Sequence, residues 1–142
     1  MQSARFLVVL AALAVPHSLA DPQPVPTLIR GSFVDDYQVS HVITDTTWIL
    51  GSRDRYHIVL SNDSAKYLIA RNDSGNTSDP GKWTRIDWMV LPMPPYEWAF
   101  CLIEYKAESR ALAEANTGAD REHPRSGCNG FPFSRMRRVA PN

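Results

Sequence analysis

The chain has 142 residues, 15 Lys+Arg against 15 Asp+Glu, and four His. That balance gives no electrostatic footprint for nucleic acid or for an anionic membrane surface. The two cysteines and scattered histidines show no C-x2-C or H-x3-H spacing, so neither a zinc site nor any other metal site is expected.

The first twenty residues read as a secretory signal peptide, residues 1–20. Arg5 supplies the positive start, residues 6–15 are an apolar run, and Ser18 and Ala20 are the small residues of a cleavage site. The run is shorter than the about 20 apolar residues of a spanning helix, and no later segment qualifies, so no membrane span is expected. The expectation is a secreted protein starting at Asp21. Its about 122 residues would bury roughly two-thirds of their unfolded surface in one domain.

Residues 21–28 carry prolines at alternate positions and read as an extended, polyproline-like leader outside the core. A single β domain is expected over residues 29–140. "GSFVDDY" (31–37) is the first strand segment, and "HVITDTTWIL" (41–50), rich in β-branched residues, is the second. "RYHIVL" (55–60) alternates, with Tyr56, Ile58 and Leu60 on one face. After a polar turn at 61–64, residues 65–71 form a fourth strand, and the polar stretch 72–81 reads as a loop. Residues 82–90 are a fifth strand, 91–96 a proline-rich connection, and 97–105 a sixth strand, apolar on both faces and therefore central. Residues 107–116 switch to helical character, with Gly118 available to end the helix. Residues 131–139 suit an edge-type strand because Pro132 cannot donate to a ladder. The fold class is all-β: a small antiparallel meander barrel or curled sheet of about seven strands, with one short helix late in the chain and one disulfide.

In an oxidising compartment, Cys101 and Cys128 pair as that disulfide. Gly127 and Gly130 flank Cys128 and free the backbone for the bridge. Hydrolase, metalloprotease, P-loop and dinucleotide motifs are all missing, so no catalytic residue and no cofactor is assigned. Asp35, Asp36 and His41 could meet across the first hairpin. They would then be either a general acid–base pair or a solvated carboxylate pair beside a locally bonded histidine. The basic cluster Arg135, Arg137 and Arg138 reads as a solvated face. Asn62, Asn72 and Asn76 each begin an N-x-S pattern; they are glycosylation acceptors if the host glycosylates exports, and otherwise turn residues.

The aromatic residues are either core or the lining of a ligand cavity. Leu91, Met93, Tyr96 and Trp98 are unusually apolar for a hairpin tip, so the Pro-rich segment either folds back on the domain or offers a contact surface. Together with Trp48 and Trp88, these four are the expected ligand-binding residues.

Three motif groups carry a resemblance. They are "GSFVDDYQVSHVITDTTW", "RND…N…PGKWTRIDW" and "AD…GCNGFPF". The set resembles a group of small secreted proteins of unassigned function, and the likeness covers most of the chain after the leader. In that group a polar residue, often Gln, tends to follow the first cysteine, where this chain has Leu102. A fainter similarity is to calycin-type barrels such as lipocalins, which open on G-x-W where this chain has Gly31, Ser32, Phe33. The resemblance implies a shared fold and brings no activity with it.

The function expected is a monomeric, secreted small β-barrel binding a small apolar or amphipathic ligand. The alternative is an interaction module for a protein or cell-surface glycan, and a hydrolase ranks third. No nucleic-acid partner is expected.

Overall fold

The computed structural model describes residues 22–141; the expected signal peptide lies outside the described residues. A 3-10 turn, Thr27–Ile29, leads into β1 (Gly31–Asp35), β2 (Ser40–Ile43), β3 (Thr47–Leu50), β4 (Asp54–Asn62), β5 (Tyr67–Asn72), β6 (Trp83–Met93) and β7 (Tyr96–Ala107). One helix, α1 (Arg110–Ala115), and β8 (Ser134–Arg138) complete the chain. Each strand pairs antiparallel with the next, and β8 returns to β1, with Phe33 opposite Arg138 and Asp35 opposite Met136. The eight strands form a closed up-and-down barrel. No described helix is long and apolar enough to cross a membrane.

Eight strands arise where about seven were expected because residues 41–50 fold as a hairpin. The Thr44 hydroxyl accepts from the backbone N–H of Thr46 and of Thr47 at 3.2 and 3.0 Å. That local bond turns the chain inside a β-branched run that reads as one strand. A bulge at Val59 has a similar effect in β4, where the register slips between Ile58 and Leu60. Tyr56 and Ile58 face the barrel interior, while Leu60 moves to the outer face beside Ile69. Strict alternation put all three on one face, and the extra residue of a bulge reverses the alternation. β8 is no edge strand. Pro132 precedes its first residue, and closure pairs β8 with both β7 and β1.

The interior is filled by side chains from all round the barrel, with Phe33, Trp48, Trp88, Trp98 and Met136 among the largest fully buried. The rings stack edge-on, Phe33 to Trp98 at 5.2 Å and Trp48 to Phe100 at 5.1 Å. β7 is apolar on both faces for two reasons. Trp98, Phe100 and Leu102 point inward, while Ala99, Cys101 and Ile103 lie beneath an external layer. That layer is α1, which buries Ala113 against Tyr67 and Ile69, followed by the segment leading to β8. The helix starts later than expected because β7 runs to Ala107. Ser109 caps it by accepting from the Leu112 N–H at 3.2 Å. It ends at Asn116, two residues before Gly118.

The Cys101–Cys128 disulfide pins the outer segment to β7. Cys128 and Phe131 exchange backbone hydrogen bonds around Asn129 and Gly130, both at positive φ, as in a type I′ turn. Gly127 is required for a different reason, since a Cβ there would lie 1.9 Å from the Asp120 carbonyl oxygen.

One end of the barrel is plugged. Val25 and Ile29 are buried in the core, and the Pro24 carbonyl accepts from Ser61. The proline-rich leader is thus part of the fold, because its apolar residues cover the barrel end and Asp45 binds the Val25 N–H. Arg138 locks the plug. Its guanidinium donates to the carbonyls of Leu28 and Arg30, pairs with Glu97 at 3.0 Å and lies 4.5 Å over the Phe33 ring. The basic cluster is therefore only partly a solvated face. Arg138 is a clamp, and Arg135 pairs with Asp36 at 2.8 Å and lies over Tyr96.

Candidate functional site

The turns between β1 and β2, β3 and β4, and β5 and β6 gather at the opposite end, together with the end of β7. A cavity of about 640 Å³ opens there. Its floor is Leu50, Tyr56, Phe100 and Leu102, which continue the barrel core upward. Its rim carries Tyr37 and Phe131, 66% and 72% exposed, with Tyr105, Asp54 and Asp79. Exposing two large aromatic side chains at a barrel mouth costs solvation free energy that packing does not recover. Phe131 stands at the rim because the type I′ turn after Cys128 projects it there.

Buried amides hold the rim. The Asn72 side chain donates to the carbonyls of Asp79 and Tyr105, both at 2.9 Å. The Asn76 amide grips Arg55 at both backbone groups, accepting from its N–H at 2.8 Å and donating to its carbonyl at 2.9 Å. Asn72 and Asn76 are thus structural clamps of the β5–β6 loop, with their amide nitrogens spent inside the fold. The Asn62 oxygen accepts from Ser64 and the Ala65 N–H, which leaves its nitrogen free of these bonds.

Tyr56 is 9% exposed, and nothing among the described residues bonds its hydroxyl. Burial, and then the charges of Asp54 and Asp79, push its phenol pKa above the usual value. Asp54 accepts from the Thr77 N–H at 3.3 Å. Nothing among the described residues donates to the Asp79 carboxylate.

The six expected ligand-binding residues do not converge on one place. Trp48, Trp88 and Trp98 are packed in the barrel interior. Leu91, Met93 and Tyr96 belong to the β6–β7 hairpin at the plugged end, across the barrel from the cavity. There Leu91 packs on the outer face beside Phe133, Met93 is half exposed, and Tyr96 lies under Arg135. A smaller groove of about 370 Å³ runs past Leu91 and Met93 on that outer face.

Asp35 and His41 do meet, at 3.0 Å, but both are buried. The Trp48 indole N–H donates to His41 Nδ1 at 3.0 Å, so the proton sits on Nε2 and is donated to Asp35. The second Asp35 oxygen accepts from the N–H groups of Tyr37 and Val39. Burial holds the His41 pKa below its ordinary value despite Asp35. Every polar atom of this relay is occupied and none faces the cavity, so the relay builds the first hairpin. Asp36 turns away from it, to Arg135.

Sequence reasoning missed a second buried cluster. Arg85 and Asp87, alternate residues on the outer face of β6, pair at 2.8 Å, and Arg121 reaches the same carboxylate at 2.9 Å. Arg121 also donates to the carbonyls of Trp88 and Lys66, and Arg85 to that of Glu114. The cluster ties α1 and the outer segment to the barrel. Its signal was present in "KWTRIDW", where two charges of opposite sign stand two apart in an otherwise apolar strand.

The described residues contain no group of three or more His, Cys, Asp or Glu able to hold a metal ion. Set beside known proteins, the chain matches no family model, no curated protein and no solved structure.

Proposed function

We propose that this protein is a secreted carrier or sensor that binds a small amphipathic molecule in the open mouth of its barrel. An eight-stranded barrel is just wide enough to be filled by its own side chains or to hold one small ligand. Here the two options are divided along the axis. The plugged end is filled by aromatic side chains, and the other end opens into the cavity of about 640 Å³. The observation that carries the reading is that cavity, with an apolar floor beneath exposed Tyr37 and Phe131. Volumes of this size suit a small organic molecule. The eight-stranded up-and-down architecture is one that small ligand-binding barrels also use. The interior relay and the Arg85–Asp87 cluster supply rigidity and no reacting group, so binding accounts for the site better than hydrolysis does.

The test is titration of the exported protein with the neutral lipophilic dye Nile red, followed by its fluorescence. Saturable binding is expected, and Phe131→Ser with Tyr37→Ser should weaken it about tenfold while leaving the melting temperature nearly unchanged. Equal binding by this double variant, or none by the unaltered protein, would remove the mouth as the site.

A further inference from the structure

The mouth is chemically one-sided. Asp54 and Asp79 stand on its rim, and among the described residues no Lys or Arg lines it. Several other carboxylates have an arginine partner: Asp36 with Arg135, Asp45 with Arg30, Asp87 with two arginines, Glu97 with Arg138. At the mouth, Asp54 meets only a backbone N–H, and Asp79 meets no donor among the described residues. The Tyr56 ring lines the same cavity as both carboxylates. Tyr56 is itself nine-tenths buried, and nothing among the described residues bonds its hydroxyl.

Asp79 is also held in an uncommon backbone conformation, with φ at +49°. The Asn72 side chain bonds its carbonyl, and so does the Lys82 N–H. Such φ values are disfavoured for most residues, and the surrounding bonds fix this one. The result is an unneutralised carboxylate held at the lip of an aromatic cup.

Resting on the reading of the mouth as a ligand site, we infer that its ligand is a cationic amphiphile, an organic ammonium with an apolar body. The apolar part would lie on Leu50, Phe100 and Leu102. The ammonium would sit at the rim between the carboxylates and the faces of Tyr37 and Phe131, above the Tyr56 ring of the floor. Aromatic faces attract organic cations, and quaternary ammonium groups above all, because the ring quadrupole is negative at its face. A carboxylate without a countercharge adds a Coulomb attraction that strengthens as water leaves the cup. An anionic headgroup, such as a fatty acid's, would be repelled by the same pair.

The experiment compares three probes with the same octyl chain, all below micelle formation: octyltrimethylammonium, 1-octanol and octyl sulfate. Each is titrated calorimetrically into the exported protein at low ionic strength. The ammonium should bind about tenfold tighter than the alcohol, and the sulfate weakest. The ammonium preference should shrink as salt screens the rim. Asp79→Asn keeps a residue tolerant of left-handed φ, and with Asp54→Asn it should collapse the ammonium-to-alcohol ratio towards one. If the alcohol and ammonium bind equally, or the sulfate binds best, the cation inference is overturned while the amphiphile site stands. If none of the three binds, both readings fall. The comparison on unaltered protein needs no variant, so poor folding of the double substitution would not spare the inference.

Discussion

Neutralising Asp87 should cost the protein more than any other single charge change. The carboxylate is 1% exposed and accepts three charge-assisted bonds, from Arg85 at 2.8 and 3.2 Å and from Arg121 at 2.9 Å. Asp87→Asn keeps the shape and removes the charge. Arg121 is 30% exposed and can turn to water, so its share is small. Arg85 cannot: its side chain is 6% exposed, enclosed by the Tyr67 ring at 4.0 Å and the Glu114 carbonyl. Breaking a buried pair costs about 3–5 kcal/mol, and the partners left to Arg85 put this case at the lower end, about 3 kcal/mol. At about 4 °C per kcal/mol for a domain of this size, the melting temperature should fall by about 12 °C. Urea unfolding followed by tryptophan fluorescence is the direct assay, with the midpoint falling and the slope unchanged. A loss below about 1 kcal/mol would place the pair with surface ion pairs and refute the reasoning. Asp87→Leu combined with Arg85→Met should recover most of the loss, since it removes both buried charges together.

Three further predictions concern the relay, the disulfide and the asparagines. His41 is held neutral with its pKa below the unfolded value of 6.5. The unfolded chain therefore binds more protons as pH falls, and stability should drop as pH falls below about 6.5; an equally steep drop in His41→Gln would refute the assignment to this residue. Cys128→Ser should lower stability by about 3–4 kcal/mol through the loop it opens, and thiol titration of the denatured, unreduced protein should find no free thiol. In a glycosylating secretory host, mass spectrometry should find glycan at Asn62 and none at Asn72 or Asn76, because those two amide nitrogens are bonded inside the fold.

The alternation of β4 and the two apolar faces of β7 made the all-β class and the strand order legible, and compartment and count gave the disulfide. Closure was harder to read because it depends on β8, and Pro132 just before it argued for an edge; pairing across more than a hundred residues leaves no local mark. The Val59 bulge and the Thr44 turn were hidden for a related reason: one displaced residue, or one hydroxyl bond, changes a face or splits a strand without altering composition. The mouth was illegible because its members come from three separate turns, the end of β7 and the segment after Cys128. Each looks like ordinary turn chemistry alone, and only closure brings them together. The apolar, proline-rich stretch around Met93 lies at the other end of the closed barrel.

The Arg138 clamp has a consequence for the order in which the molecule can be made. It binds the Leu28 carbonyl across 110 residues of chain, and β1 gains its second neighbour only when β8 arrives. A polypeptide delivered from its N-terminal end therefore carries β1 as an open strand edge, with its plug unsecured, until β8 has been released. Such an edge is a template for pairing with another copy. Folding dominated by non-local pairings of this kind is slow. The stage after release and before β8 docks is thus when this protein is most exposed to aggregation, and a holding chaperone would act on it then.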